Sequence, residues 1–183
     1  MKKSRRRSSR AIAMEHAVMQ IRIATPADAE AIAAAETETA RTPGLLVQRP
    51  GEIPVEAFRD KIKALSGQGR YIVAEDAGAV IGHAMLDPMP MRANAHVFQL
   101  TIVVHPGQVG HGIGRALLRD LLDWAQNDMR VGKVELHVRT GNLRAQHVYR
   151  GFGFVEEARF RRRVQRIDGS FEDDLGMAWF PDR

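Results

Sequence analysis

The 183-residue sequence has no cysteine, so it can form no disulfide framework, no thiolate nucleophile and no Cys-ligated zinc site. It has no run of 18 or more apolar residues, so no segment reads as a membrane-spanning helix. It also lacks internal repeats and any linker that would divide the chain, and its length suits one domain with a proper core. Acidic residues are missing from the first ten positions, MKKSRRRSSR, which hold six of the 27 Lys and Arg. Removing those six from 27 leaves 21 cations against 22 Asp and Glu. The formal charge of +5 therefore belongs to one end and does not by itself mark a nucleic-acid protein. No apolar stretch follows the charges, which argues against a secretory signal and leaves a cytoplasmic location as the expectation.

The basic end admits three readings. It is an arm for phosphates, an Arg- and Ser-rich targeting peptide, or a solvated, disordered extension with Met14 and Met19 as later candidate starts. The expectation adopted is the last, an extension over residues 1–18 followed by a single domain over 19–183.

Within that domain, residues 19–24 alternate polar and apolar and predict a strand. Thr25-Pro26-Ala27-Asp28 supplies a hydroxyl cap, a proline at the first helical position and an acid three residues on, so a helix is expected through about Ala35. Residues 39–54 carry three prolines and two glycines and read as a loop. Val55, Phe58, Ile62 and Leu65 form one helical face. Residues 71–75 and 79–86 form a hairpin about Asp76-Ala77-Gly78. A long β run over 96–105 precedes a glycine-rich stretch. A helix follows with Ile113, Leu117, Leu121, Leu122 and Ala125 on one side, then a strand over 133–139. A helix over 142–151 presents Ala145, Val148, Tyr149 and Phe152, and strands over 154–160 and 175–180 flank a turn at Asp168-Gly169. The predicted order is β-α-α-β-β-β-α-β-α-β-β, a mixed α/β domain.

The most informative segment is Thr101 to Arg115, a strand running through Gly107, Gly110, Gly112 and Gly114 into an amphipathic helix. The first N–H groups of a helix lack intrahelical partners and carry the positive end of its dipole. Glycines let a diphosphate approach that backbone, with Arg115 and His111 adding positive character at the rim. The segment lacks the Lys-Ser/Thr of a P-loop and the spacing of a dinucleotide-binding turn, and a tight strand-to-helix connection without a ligand also accounts for it. A second pattern follows, Asn142-x-x-Ala145-x-x-x-Tyr149-x-x-x-Gly153-Phe154. Asn142 caps its helix and can also reach a ligand between the neighbouring strands. Tyr149 lies two turns on, either as a packing residue or as a hydroxyl aimed at that ligand.

Together the two segments resemble the GCN5-related N-acetyltransferase (GNAT) superfamily. Its acetyl-CoA signature, Gln/Arg-x-x-Gly-x-Gly/Ala, is matched by Val109-Gly110-His111-Gly112-Ile113-Gly114, preceded by Val104-His105-Pro106. Gly153-Phe154-x-x-Glu157, Asp168-Gly169 and Asp173-Asp174-x-x-Met177 resemble the bacterial amino-acid N-acetyltransferase branch. The resemblance runs from about Ile21 to Trp179. It departs at Val109, which stands where the family has Gln or Arg, with Gln108 one residue early.

The resemblance implies a twisted, mostly antiparallel sheet with a splayed parallel strand pair, flanked by about four helices. It implies acetyl-CoA as cosubstrate, no metal, and direct transfer to a primary amine. The cofactor positions carried over are Ile102, Val103, Val104, Val109, Gly110, His111, Gly112, Ile113, Gly114, Arg115 and Asn142. A main-chain N–H from the strand would stabilise the oxyanion, and Tyr149 would protonate the departing thiolate. His137 stands where related ribosomal-protein acetyltransferases carry a glutamate and is the candidate base; the alternative is a groove-facing strand residue with water removing the proton. Gln99, where other members have an acid, cannot serve. An α-amine of pKa about 7.7–8.0 is roughly 10–20% neutral at pH 7, against below about 0.1% for a lysine amine. Weak base equipment therefore favours an α-amine.

The expected acceptor is a small-molecule amine such as an amino acid. Acetylation of a protein N-terminus is the alternative, to be favoured by an open groove and an acidic rim, whereas a pocket closed by residues 37–52 favours a small molecule. A homodimer is a possible assembly, common in the family. A nucleic-acid-binding module is not expected, because the body lacks aromatic-interleaved basic strands. The cluster of Arg159, Arg161, Arg162, Arg163 and Arg166 reads as a solvated face. His105 and His111 lack partners at metal-ligand spacing.

Overall fold

A computed structural model describes residues 19–42 and 46–182; the extension expected over residues 1–18 lies outside the described residues. Among the described residues seven strands form one sheet in the order β1-β2-β3-β4-β5-β7-β6. They are β1 Gln20–Ile23, β2 Arg70–Asp76, β3 Ala79–Pro88, β4 Val97–Val104, β5 Lys133–Arg139, β6 Val155–Gln165 and β7 Phe171–Trp179. Every neighbouring pair is antiparallel except β4 and β5. Four α-helices among the described residues accompany the sheet: α1 Ala29–Thr39, α2 Val55–Leu65, α3 Ile113–Asn127 and α4 Leu143–Gly151. The order of elements is the one the sequence predicts. No helix of the described residues is long and apolar enough to cross a membrane.

Both faces of the sheet are covered because successive strand side chains point to opposite sides. On β2, Ile72 and Ala74 pack with Leu117, Leu118 and Leu121 of α3, whereas Tyr71 and Val73 pack with Ile32 of α1 and Phe58, Ile62 and Leu65 of α2. The α3 core continues through Phe98 and Leu100 of β4 and Val134, Leu136 and Val138 of β5. Burying each such side chain contributes about 1.5–3 kcal/mol. A Cβ on Gly82 would meet Ile113 Cγ2 at 3.0 Å and Leu117 Cδ1 at 3.2 Å, so a missing side chain on β3 sets how closely α3 approaches.

Two elements run four or more residues past their sequence-predicted C-terminal ends, and β7 begins at Phe171, four residues before its predicted start. The first is α1, which runs to Thr39 rather than Ala35. Its last turn, Glu36-Thr-Glu-Thr39, has poor local helix propensity, but Glu36 is buried against His83 and the Thr39 hydroxyl donates to the Ala35 carbonyl at 2.7 Å. The second is β6, which continues from Phe160 to Gln165 through a bulge. Phe160 pairs with Asp174 and Val164 with Glu172, so Arg161, Arg162 and Arg163 oppose the single residue Asp173. Arg162 has φ +52°, and its N–H donates to Asp173 Oδ1 at 2.8 Å. Such a bulge interrupts the alternation from which a strand is read in sequence. These arginines lie on the exposed edge strand of the sheet, where charge and a bulge discourage edge-to-edge pairing.

The feature that positions the site is the opening between β4 and β5. They pair only at Val97–Lys133, Phe98–Val134 and Gln99–Glu135. Beyond Gln99, β4 stays with β3 and β5 stays with β7, leaving a wedge at the end where α3 and α4 begin.

Candidate active site in the splayed sheet

The geometry of β4 decides which main-chain groups face the wedge. His105 N–H donates to the Ile81 carbonyl at 3.0 Å, and Met89 N–H donates to the Val97 carbonyl at 2.9 Å. The residues between them pair with β3 without a bulge. Odd-numbered positions from 97 to 105, Val103 among them, therefore direct their N–H and C=O groups to β3. Ile102 and Val104 direct theirs into the wedge.

The glycine loop closes one end of the wedge. Gly107, Gly110 and Gly112 have φ of +77°, +110° and +80°, a region that side chains of L-residues resist. Gly112 is the N-cap of α3 and has no side-chain cap; the first intrahelical bond runs from Ala116 N–H to the Gly112 carbonyl at 3.0 Å. The preceding N–H groups of Ile113, Gly114 and Arg115 thus lack intrahelical acceptors. A Cβ on Gly112 would find nothing within 4 Å, whereas one on Gly114 would lie 3.3 Å from Val104 Cγ2. Gly112 faces open space, and Gly114 lets α3 sit against β4.

α4 forms the other wall. Asn142 caps it by accepting from Ala145 N–H at 3.1 Å. Gln146 Nε2 donates to the Arg139 and Thr140 carbonyls at 3.0 and 2.9 Å, tying the helix to the end of β5. Ala145, Val148 and Tyr149 then face the wedge, with the Tyr149 ring 5.6 Å from Phe154. Burial pushes the Tyr149 hydroxyl above the ordinary phenol value. It has no hydrogen-bond partner among the described residues, so it is free to donate.

These walls enclose a cavity of about 350 Å³, largely apolar in its lining, within the size range of small-molecule sites. Ile102, Val103, Val104, Val109, Gly110, Gly112, Ile113, Gly114, Arg115, Asn142 and Tyr149 line it; all eleven are anticipated from sequence. His111 and His137 do not line it. His111 is exposed, with Nδ1 3.2 Å from the Gln108 carbonyl. His137 is exposed on β5, its ring edge-to-face with Phe160 at 4.9 Å.

Sequence reasoning missed Arg144 in the lining and gave Gln108 only as one residue early for the motif, whereas Thr39 and Leu46 fall within the residues 37–52 expected to close a small-molecule pocket. Arg144 occupies the first turn of α4 and has no ion-pair partner among the described residues. Its guanidinium lies 3.9 Å from where a Cβ on Gly110 would be. A cation at a helix N-terminus opposes the helix dipole, and that conflict is the signal that would have singled it out. Arg115 and Arg119 stack over Phe152 at 5.4 and 5.9 Å. The lining is thus unpaired N–H groups and an unpaired guanidinium at one end, and open main-chain donors and a phenol further in. A diphosphate on an extended thioester arm fits this donor set. No group of three or more His, Asp or Glu among the described residues could hold a metal ion.

Comparison with known proteins bears on the family and the fold. Residues 33–154 match the acetyltransferase (GNAT) family. The chain is 37% identical over 121 residues to the N-alpha-acetyltransferase RimI of Mycobacterium tuberculosis, covering 64% of this chain and 70% of that protein. It is 30% identical over 109 residues to the L-amino acid N-acetyltransferase AaaT of Escherichia coli, covering 60% and 67%. The structure of yncA from Salmonella typhimurium with its cofactor acetyl-CoA superposes with a TM-score of 0.82 at 22% identity, over 91% of this chain and 95% of that one.

Proposed function

This chain belongs to the GNAT family of acetyltransferases, and from that membership we propose that it transfers the acetyl group of acetyl-CoA to the α-amine of a small molecule such as an amino acid. Acetyl-CoA-dependent N-acetyl transfer is the family's chemistry; the acceptor class and the roles of single residues are our reading. The observation that carries the acceptor class is the cavity lining. Among its described residues the titratable groups are Arg115, Arg144 and Tyr149, with no carboxylate or imidazole to take a proton. An α-amine, roughly 10–20% neutral at pH 7, has less need of such a group than a lysine-type amine, a difference of about 3 kcal/mol. Thr39 and Leu46, from the end of α1 and the segment after it, close one side of the cavity, which favours a small acceptor over a protein terminus.

The N–H groups at the start of α3 and the Arg144 guanidinium hold the diphosphate. Arg144 supplies the positive side chain that Val109 lacks. The N–H of Ile102 or Val104, open to the wedge, donates to the thioester oxygen as it gains negative charge. The amine nitrogen forms a bond to the carbonyl carbon, the carbon–sulfur bond breaks, and sulfur leaves with the electron pair. Tyr149 donates a hydrogen bond to that sulfur, which draws its proton through the bond, and the phenol recovers one from solvent. Because burial holds the Tyr149 proton tightly, the hydrogen bond contributes more than full transfer to a thiol of ordinary pKa, about 8.5. The proton lost by the amine leaves through water, with His137 on the exposed face of β5 a candidate to receive it.

The second reading is acetylation of a protein N-terminus, favoured by the 37% identity to RimI. A free-thiol release assay separates the two. The twenty L-amino acids should include acceptors at least tenfold better in kcat/KM than a tetrapeptide with N-terminal alanine or than spermidine; preference for the peptide overturns the small-molecule reading. We further propose that residues 19–183 suffice for catalysis, so deletion of residues 1–14 should leave transfer intact.

A further inference from the structure

Three buried polar side chains lie just behind the cavity wall: Glu36 on α1, His83 on β3 and His105 immediately past β4. They form a chain. His105 Nδ1 lies 3.0 Å from the Val80 carbonyl, His105 Nε2 3.0 Å from His83 Nδ1, and His83 Nε2 2.9 Å from Glu36 Oε1. Gln48 Nε2 donates to the second Glu36 oxygen, and Tyr71 stacks on His83 with centroids 6.0 Å apart.

Proton accounting fixes the direction of each bond. A carbonyl oxygen only accepts, so His105 Nδ1 carries hydrogen. Burial and the neighbouring His83 push His105 down to about 4, so its Nε2 is bare and accepts from His83 Nδ1. His83 Nε2 then meets a carboxylate oxygen at 2.9 Å. Two acceptors do not face each other at that distance, so one proton lies between His83 and Glu36. Every polar side-chain atom of Glu36, His83 and His105 has a partner, and removing one member would leave its neighbour desolvated and unpaired.

None of these side chains lines the cavity, yet each is attached to a segment that does or is paired with one. Glu36 lies one turn before Thr39, and Gln48 two residues after Leu46. His83 pairs with Val103, and His105 follows Val104. We infer that Glu36 and His83, joined by one shared proton and backed by His105, are positioning residues that clamp the end of α1 and the Leu46–Gln48 segment against β3 and the end of β4, and so shape the amine side of the cavity. The inference rests on the acetyl-transfer reading of that cavity, but the phosphate end (Gly112, Arg144) is separate from it.

The test uses the full chain and three variants, Glu36→Ala, Glu36→Gln and Gln48→Ala. Calorimetric titration with CoA checks the cavity reading; a wild-type chain that takes up no CoA refutes that reading rather than the clamp. With CoA bound normally, Glu36→Ala and Gln48→Ala should leave its Kd within twofold. The same two changes should raise KM for the best L-amino acid acceptor at least tenfold, with kcat within threefold. Glu36→Gln, whose amide can donate to a neutral His83 and accept from Gln48, should return KM to within threefold of wild type. Hydrogen exchange supplies a readout that needs no acceptor: amides of residues 36–42 and 46–49 should exchange at least tenfold faster in Glu36→Ala, with those of α3 unchanged. Unaltered KM and exchange in Glu36→Ala overturn the clamp. So does a tenfold loss of kcat at normal KM in Glu36→Gln, which would make Glu36 the acceptor of the amine's proton.

Discussion

Arg144 offers the sharpest perturbation of the proposed phosphate site, because in that proposal it replaces by tertiary placement a charge that the glycine motif lacks. Its guanidinium stands 3.9 Å from the Cβ position of Gly110 and has no carboxylate to neutralise it among the described residues. A unit pair at about 4 Å is worth about 4 kcal/mol at an effective dielectric of about 20. Arg144 is exposed, so screening lowers that toward the roughly 1.5–3 kcal/mol of a hydrogen bond to a charged group. The lower end is the better figure for an exposed side chain, and about 1.4 kcal/mol is tenfold in Kd. Arg144→Ala should therefore weaken CoA binding about tenfold by calorimetry, with a smaller dependence on salt. Adding Val109→Arg to Arg144→Ala should recover part of the loss. Because Arg144 overhangs Gly110, 3′-dephospho-CoA should suffer the same penalty. A Kd within twofold of wild type refutes the assignment, and a penalty that vanishes with 3′-dephospho-CoA moves Arg144 to the ribose phosphate.

Other consequences follow from the same geometry. Tyr149→Phe removes the hydroxyl and keeps the packing, so kcat should fall at least tenfold while CoA affinity stays nearly unchanged; an unaltered kcat removes Tyr149 from the chemistry. Gly112→Asp adds a carboxylate beside the unpaired N–H groups at a residue with φ +80°, and calorimetry should register no CoA binding; normal affinity would place the diphosphate elsewhere. His105 is held neutral down to about 4, whereas an unfolded histidine takes a proton below about 6.5. Between those values the unfolded state binds more protons, so stability falls as pH drops, by up to about 3 kcal/mol. Urea unfolding of wild type and His105→Gln at pH 7 and 4.5 checks this: wild type should lose more on acidification, and equal losses would contradict the burial argument.

Much of the candidate site was legible because it is local. The glycines at 107, 110 and 112 sit at positive φ for reasons contained in one loop. Asn142 caps α4 as any N-cap asparagine would, and Ala145, Val148 and Tyr149 share a face by helical spacing. Arg144 lies on the same helix, but its placement over Gly110 depends on how α4 packs against the loop after β4. His137 occupies the expected strand, yet its exposure and its contact with Phe160 follow from the pairing of β5 with β7 and of β7 with β6. The end of α1 escaped the sequence reading because its last turn depends on His83, 47 residues away.

The sequence alone determined the order of elements, the amphipathic faces and the glycine-bounded helix start, since hydrophobic period, caps and positive φ are set by neighbours in the chain. Only the tertiary structure decided that β4 leaves β5 after Gln99, that the main-chain groups of Ile102 and Val104 rather than those of Val103 open into the gap, and that Glu36, His83 and His105 join in a buried hydrogen-bond chain. Those outcomes depend on hydrogen bonds between residues far apart in the chain, and such partners exist only once the sheet has brought its strands together.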